Sequence, residues 1–429
     1  MTETSHSAAQ TLRKTVEARL KVRHAQETRF RAYGLVAIFI ALSFLAVLLG
    51  RIVTQGYSTF VEYSLTVPVY IDPARVDPAD ISGANFDLMI ADQVLARLGI
   101  KDDDFGTQSS KVMDILSNDL GFQLLEKVKA SPALIGKTVT VTGPVRADGA
   151  LYYKGEIKRS TPEDERKLDN AQLGWLDRMK ATGMVSSGFN SGFLTRSDST
   201  EPEQAGVWGA IVGSTMMLLV TALLAVPIGV LAATYLEEFA ARNRWTDIIE
   251  VNINNLAAVP SIVYGLLGLA VFINWLHVPR SSPLLGGLVL ALMALPTVII
   301  ATRSALKAVP PSIREAALGV GASKTQTVFH HVLPLAMPGV MTGAILSMAH
   351  ALGETAPLLM IGMVSFVPGV PEGFTGAATV LPVQVFIWEN ASERAFHERT
   401  AGAIMVLLVF MIVMNLAAIL LRRRFERRW

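Results

Sequence analysis

The chain of 429 residues has no cysteine, so disulfide frameworks, thiolate metal sites and cysteine nucleophiles are excluded. Charge is also scarce. Only 17% of residues are Asp, Glu, Lys or Arg, against about 25% in an average soluble domain, while 51% are hydrophobic. That balance excludes a disordered or collagen-like chain and places the protein in a lipid bilayer. No G-x-x-x-x-G-K-[ST] sequence occurs, so nothing here binds nucleotide phosphates by that route. Gly136-Lys137-Thr138 imitates its end, but Ser131 stands where the first glycine is needed and a strand pattern follows where a helix should.

What is present is a set of long apolar runs. A span needs roughly 20 apolar residues. Six stretches qualify: Ala32 to Val53, Val207 to Tyr235, Leu256 to Trp275, Leu284 to Ala301, Val332 to Val364 (interrupted by Gly353, Glu354 and Pro357) and Ala401 to Leu421. The expectation is a polytopic all-α membrane protein of six transmembrane helices. It divides into a basic segment 1–31, a first span 32–53, a polar insertion 54–204 and a core of five spans over 205–429. The first run exceeds the 7 to 15 residues of a signal-peptide h-region and lacks an A-x-A-like site, so a permanent anchor is expected.

The formal net charge of +2 conceals an uneven distribution. Arg13, Lys14, Arg19, Lys21, Arg23, Arg29 and Arg31 precede the first span, and five arginines follow the last. Arg303, Lys307, Arg314 and Lys324 share the same side when six spans are threaded. By the positive-inside rule both termini are cytoplasmic, and the insertion lies outside, where its acidic residues outnumber its basic ones. The insertion reads as α+β. Asp87 to Leu98, Lys111 to Lys129 and Pro162 to Met184 have helical amphipathicity, and Thr138 to Thr142 with Leu151 to Ile157 alternate around Asp148-Gly149 as a β-hairpin.

Two places carry chemistry. In the cytoplasmic loop 310–334, Ser312 with Glu315, and Ser323 with Gln326, have capping-box spacing, and Gly321 separates the two helices they would start. Ile313, Ala316, Ala317 and Val320 fall on one apolar face. That face either docks in a partner's groove or lies on the chain's own transmembrane bundle. The second place is Glu354, a carboxylate inside an apolar segment, where insertion costs roughly 2.5 to 3.5 kcal/mol. It either lines a pathway or forms a packing ion pair with Arg303. Gly353 and Pro357 beside it free backbone groups, which fits a site buried in protein or facing water.

Glu315-Ala-Ala, Gly321 and Leu333-Pro334 resemble the EAA loop with which permeases of ABC importers dock on a cytoplasmic ATPase; His331 stands where that motif has an aliphatic residue. Asn255-Leu-Ala-Ala-Val-Pro-Ser-Ile-Val-Tyr-Gly-Leu266, Ala351-Leu-Gly-Glu-Thr-Ala-Pro-Leu-Leu359 and Leu381-Pro-Val-Gln-Val-Phe386 narrow the resemblance to PstA-type phosphate permeases, from about Phe193 to the C-terminus, with the insertion as an addition. The resemblance implies the type I importer permease fold and a coupling surface at Glu315, Ala316, Ala317, Gly321, Leu333 and Pro334. It implies a translocation path at Glu354, His350 and Thr355, to which Arg303, near the cytoplasmic end of the fourth span, would add a fixed positive charge. His350 replaces the arginine usual in the pattern Arg-x-x-Gly-Glu-Thr, exchanging a permanent charge for one that histidine carries only when protonated. The implied partners are a PstC-like permease, a PstB-like ATPase dimer that holds the ATP and magnesium, and a PstS-like periplasmic phosphate-binding protein, in the inner membrane of a bacterium. This chain would be no enzyme, would hold no cofactor and would bind no nucleic acid. Sulfate, molybdate or phosphonate remain alternative cargoes, and a membrane sensor with an exterior ligand domain is the alternative of another class.

Overall fold

The computed structural model describes residues 2–101, 106–363 and 366–425. The sequence span ending at Val364 and the last basic residues of the C-terminus therefore run beyond the described residues. The chain divides into a body of residues Met1–Gln55 and a second of Gly56–Trp429. The first body is one helix, α1 (Thr2–Gly56), with the basic segment continuous with the apolar one.

The second body begins with a three-stranded antiparallel sheet and the helices around it. Strand β1 (Val61–Tyr70) is central, followed by α2 (Phe86–Leu98), α3 (Thr107–Met113), α4 (Asp119–Ala130), β2 (Thr138–Pro144), α5 (Ala147–Tyr153), α6 (Asn170–Ala181), β3 (Val185–Phe189) and α7 (Ser191–Thr195). Leu65, Val67 and Val69 point into a core with Val94, Leu124, Val141, Leu173 and Leu176, every one of them fully enclosed. Pro68 sits in the central strand without breaking it. β3 pairs only with Val61 to Leu65, so at Pro68 the strand has β2 as its single neighbour and no ladder donor is missing on the other side.

Three expectations for this region are corrected. β2 forms as read, but the partner is β1, with Val67 opposite Val141. Leu151 to Tyr153 belong to α5, and Asp148-Gly149 lies in that helix's first turn. An aspartate there suits the positive end of the helix dipole. Gly149 is enclosed because a Cβ would approach Val145 to 2.8 Å, so the glycine serves helix packing and makes no turn. The stretch read as one helix over Lys111 to Lys129 is two, α3 and α4, and the one read over Pro162 to Met184 shortens to α6, started by a capping box of Asp169 and Gln172.

The apolar part consists of α8 (Trp208–Thr234), α9 (Arg244–Ala257), α10 (Ser261–Leu267), α11 (Pro283–Lys307), α12 (Pro311–Gly319), α13 (Lys324–Gln326), α14 (Leu333–Gly353), α15 (Ala356–Met360), α16 (Leu381–Glu389) and α17 (Arg394–Phe425). Among the described residues five helices are long and apolar enough to cross a membrane. A sixth span exists only if the pair Arg244–Ala257 and Ser261–Ile273, bent by 105°, counts as one. The third span read over Leu256 to Trp275 is therefore corrected to this bent pair. The chain breaks at Ala258 to Pro260, because a residue before proline is driven out of helical backbone and Pro260 then opens the next helix.

Small residues set the helix packing. Gly287 of α11 lies so close to Val220 of α8 that a Cβ would meet that side chain at 2.5 Å, and Gly229 of α8 meets Val298 at 2.7 Å. Gly343 and Gly339 of α14 do the same against Ala301 and Ala305 of α11. Such contacts replace the hydrophobic driving force that lipid cannot supply.

Candidate functional site: the loop after α11 and a broken helix

The loop after α11 opens with Pro310, whose extended backbone caps α12 without a side-chain bond. The expected Ser312 cap is thus corrected: Ser312 lies inside the first turn, since Pro310-Pro311 already fixes the helix start. The second expected box is present, with Ser323 and Gln326 bonding reciprocally. Gly321 between them has φ +88°, a conformation an L side chain strains to adopt.

The apolar face of α12 is split between two surroundings. Ala317 is buried and Ile313 half-buried against the bundle, while Ala316 is exposed and Val320 is 86% exposed. Part of this face therefore lies on the chain's own bundle, and the part at Ala316 and Val320 is left exposed. Arg314 fixes the helix: its Nη2 lies 2.5 Å from Oε1 of the nearly buried Glu238 and also donates to the carbonyl of Leu306, and its Nη1 donates to the carbonyl of Val309. Lys324 of α13 stands 5.5 Å over the ring of Phe239. Glu315 is exposed and has no ion pair or hydrogen bond among the described residues. Beside α12 an open cavity of about 570 Å³ is lined by Val309, Pro310, Ile313, His330, His331 and Pro334. Leu333 is half-buried next to it, at the start of α14. The loop thus presents exposed apolar side chains beside an open groove, on a helix tied to the bundle through Arg314.

The second site is the break after α14. The helix stops at Gly353, Glu354 is extended, and Thr355 starts α15, its carbonyl accepting from Leu358 and Leu359 at 3.1 Å. Glu354 Oε1 lies 3.3 Å from Nε2 of His350, with the histidine side chain 67% exposed and the carboxylate only 20%. α15 is wedged in place by Gly265 of α10, where a Cβ would stand 2.8 Å from the Cα of Pro357. Gly362, at φ +88°, then turns the chain, and its carbonyl accepts from Ser281 Oγ at 2.6 Å. Non-helical backbone at this depth is held by protein on one side and leaves His350 open on the other.

Arg303 does not join them. Its Nη2 lies 2.6 Å from Glu250 Oε1 and its Nε 3.3 Å from Glu237 Oε2, with Lys307 also on Glu237 at 3.6 Å. The ion pair of Glu354 with Arg303 is corrected accordingly. The close contacts of Gly339 with Ala305 and of Gly343 with Ala301 set Arg303 level with residue 341 of α14. At a rise of 1.5 Å per residue His350 is then about 14 Å further along the helix and Glu354 about 20 Å. The four expected path residues thus lie at two levels, with His350, Glu354 and Thr355 at one and Arg303 at the other.

Glu237, Glu238 and Glu250 escaped the sequence reading. A pair of acids ending an apolar run that faces a basic loop was the available signal. Also unforeseen is a buried charge cluster around the start of α17, where Lys154 meets Glu398 at 2.6 Å.

Residues 225–429 match the family described as binding-protein-dependent transport system inner membrane component, and residues 17–163 match a domain of unknown function, DUF3333. The chain is 35% identical over 229 residues to the phosphate transport system permease protein PstA 1 of Mycobacterium tuberculosis, covering 53% of this chain and 74% of that protein. It is 31% identical over 242 residues to the probable ABC transporter permease protein YqgI of Bacillus subtilis, covering 53% of this chain and 81% of that one. A solved inward-facing MetNI methionine ABC transporter chain aligns with TM-score 0.42 and 18% identity, over 52% of this chain and 95% of its own.

Proposed function

We propose that this chain, which belongs to the PstA-type permeases among the binding-protein-dependent transport system inner membrane components, is one permease half of an ATP-driven importer of inorganic phosphate. The observation that carries the substrate is its 35% identity, over three-quarters of the relative's length, to a phosphate transport system permease. It would form the path with a second, PstC-like permease. A PstB-like ATPase dimer would dock at α12, and a PstS-like binding protein would deliver phosphate from the periplasm.

In this scheme the membrane is the bacterial inner one, six spans place both termini in the cytoplasm and the insertion 54–204 faces outward. Moving a negative charge inward costs about 2.3 kcal/mol per 100 mV, and a divalent phosphate about twice that, so uptake must be driven. This chain hydrolyses nothing; nucleotide-driven closure of the ATPase dimer would move α12, and Arg314 would carry that motion to the end of α8 through Glu238. Phosphate would pass two stations. His350, Glu354 and Thr355 form one, with the histidine able to carry the positive charge, and Arg303, already neutralised by Glu250 and Glu237, marks the other.

The test is accumulation of labelled phosphate by vesicles holding the complete complex and its binding protein. Accumulation that requires ATP is expected. Preferential accumulation of sulfate, molybdate or a phosphonate under the same conditions would overturn the substrate and leave the permease assignment standing.

A further inference from the structure

The segment 57–204 is fastened to the N-terminal end of α17 at three separate places. The first is its own beginning. The buried Thr59 donates from Oγ1 to the carbonyl of Glu398 at 2.7 Å, and it sits so tightly on Gly402 that a Cβ there would meet its Cγ2 at 2.6 Å. Asn190, arriving from β3, locks the same residue by donating to the Thr59 carbonyl at 2.9 Å. The second place is the segment's return. Arg399 of α17 donates to the carbonyl of Glu203 and stacks 5.6 Å from the ring of Phe193, while Trp388 of α16 donates to Asp198 at 2.9 Å. The third is the middle, where Lys154, just past α5, reaches Glu398 at 2.6 Å with its side chain 7% exposed and the glutamate's 12%.

Polypeptide linkers that merely tether a domain are polar and solvated. Here each connection is anchored by buried residues, Thr59 in the first and Phe193, Asp198 and Glu203 in the second, and a largely enclosed charged pair lies between them. Removing two charges from water is costly, and such a pair is a poor source of stability; its best-attested use is to fix one arrangement against others. Burial holds the Lys154 ammonium below its ordinary range; Glu398 and, less strongly, Glu62 act against that shift, while nearby Arg399 adds to it.

We infer that the inserted segment is a permanently seated extension of the last span, held in register by the Lys154–Glu398 pair, and not a module that swings on its connections. The inference goes beyond the transport reading and does not depend on the cargo.

Because the chain has no cysteine, labels can be placed at will. Spin labels at Phe122→Cys on α4 and Arg394→Cys at the start of α17, both exposed positions, report the distance across the seat in the full chain in lipid nanodiscs. A single narrow distance distribution is expected. Lys154→Met, which leaves Glu398 buried and unpaired, is expected to at least double its width, and the exchange Lys154→Glu with Glu398→Lys to restore it. A broad distribution in the unmodified seat, or a width untouched by Lys154→Met, or no recovery in the exchange variant, would each overturn the latch. No substrate enters the measurement, so a wrong cargo leaves it intact.

Discussion

Arg314 in the middle of α12 and Glu238, in the π-helical turn Tyr235–Phe239 that continues α8, form a two-oxygen contact, Nη2 at 2.5 Å and Nε at 3.2 Å from the carboxylate, across 76 residues of sequence. The glutamate side chain is 8% exposed and the arginine 23%, so removing one partner strands a largely buried charge. Its cost belongs at the lower end of the range for breaking buried pairs, about 3 kcal/mol. Arg314→Ala is therefore expected to lower thermal stability and to leave α12 unable to pass force to α8. In vesicles carrying the whole complex, ATP hydrolysis should persist while uptake falls at least tenfold. Uptake and hydrolysis falling together would contradict a transmitting role. Glu315→Lys, on the exposed side of the same helix, should instead reduce recovery of the ATPase with the purified complex without changing stability.

Gly321 gives a second test of the loop. Its φ of +88° is outside the range open to proline, whose ring fixes φ near −65°. Gly321→Pro is expected to misdirect α13 and abolish uptake with the protein still in the membrane. Gly321→Ala strains the backbone, but its Cβ would meet open space, so a partial loss of a few-fold is expected. Equal effects of the two substitutions would show that the backbone conformation is not what matters.

Much of this was legible because it rests on local rules. The cap at Ser323 and the turn at Gly321 follow from residue types and spacing and are present, and five of the six apolar runs fall in helices long enough to span among the described residues. The misreadings involve neighbours that no local window contains. Asp148-Gly149 has hairpin composition, yet Gly149 is small because Val145 and Leu176 press on it. β1 went unread because Pro68 interrupts its pattern, and only the short reach of β3 makes the proline harmless. Arg303 was matched with the one conspicuous membrane carboxylate, whereas the helix register brings it to Glu237 and Glu250.

The wedge between α10 and α15 carries a prediction about the path. A methyl group at Gly265 would stand 2.8 Å from the Cα and the carbonyl oxygen of Pro357, and backbone cannot yield as a side-chain tip can. Overpacking of this kind costs typically 1 to 3 kcal/mol. Gly265→Ala should displace α15 and with it Glu354, lowering the maximal rate of phosphate uptake while the complex still assembles. Unchanged transport kinetics would remove the wedge from the path.

His350 separates charge from shape. His350→Ala is expected to weaken uptake, since Glu354 then faces the path without its neighbour at 3.3 Å. His350→Arg supplies a permanent positive charge beside Glu354, so it should retain more uptake than His350→Ala. Equal initial uptake rates in the two variants would show that the charge of residue 350 does not govern the rate.

Glu203, beside the seat of the inserted segment, has a carboxyl pushed up by burial and by nearby Glu201, against the hydrogen bonds it receives, among them one from the Ala147 amide. Among the described residues its Oε1 has no hydrogen-bond partner. A carboxyl whose value is higher in the folded chain holds its proton more tightly there, so folding gains from protonation. That gain is fully present below the unfolded value of 4.5 and is lost as the pH rises through the window between that value and the raised folded one. Glu203→Gln removes the ionisation and keeps an oxygen for the Ala147 amide. The variant should therefore melt at a higher temperature than the unaltered chain at pH 7, and the difference should shrink as the pH is lowered toward 4.5. Thermal unfolding of both full chains in detergent across that range checks it. A constant difference at every pH would assign the effect to packing, and an advantage that grows on acidification would reverse the sign of the linkage.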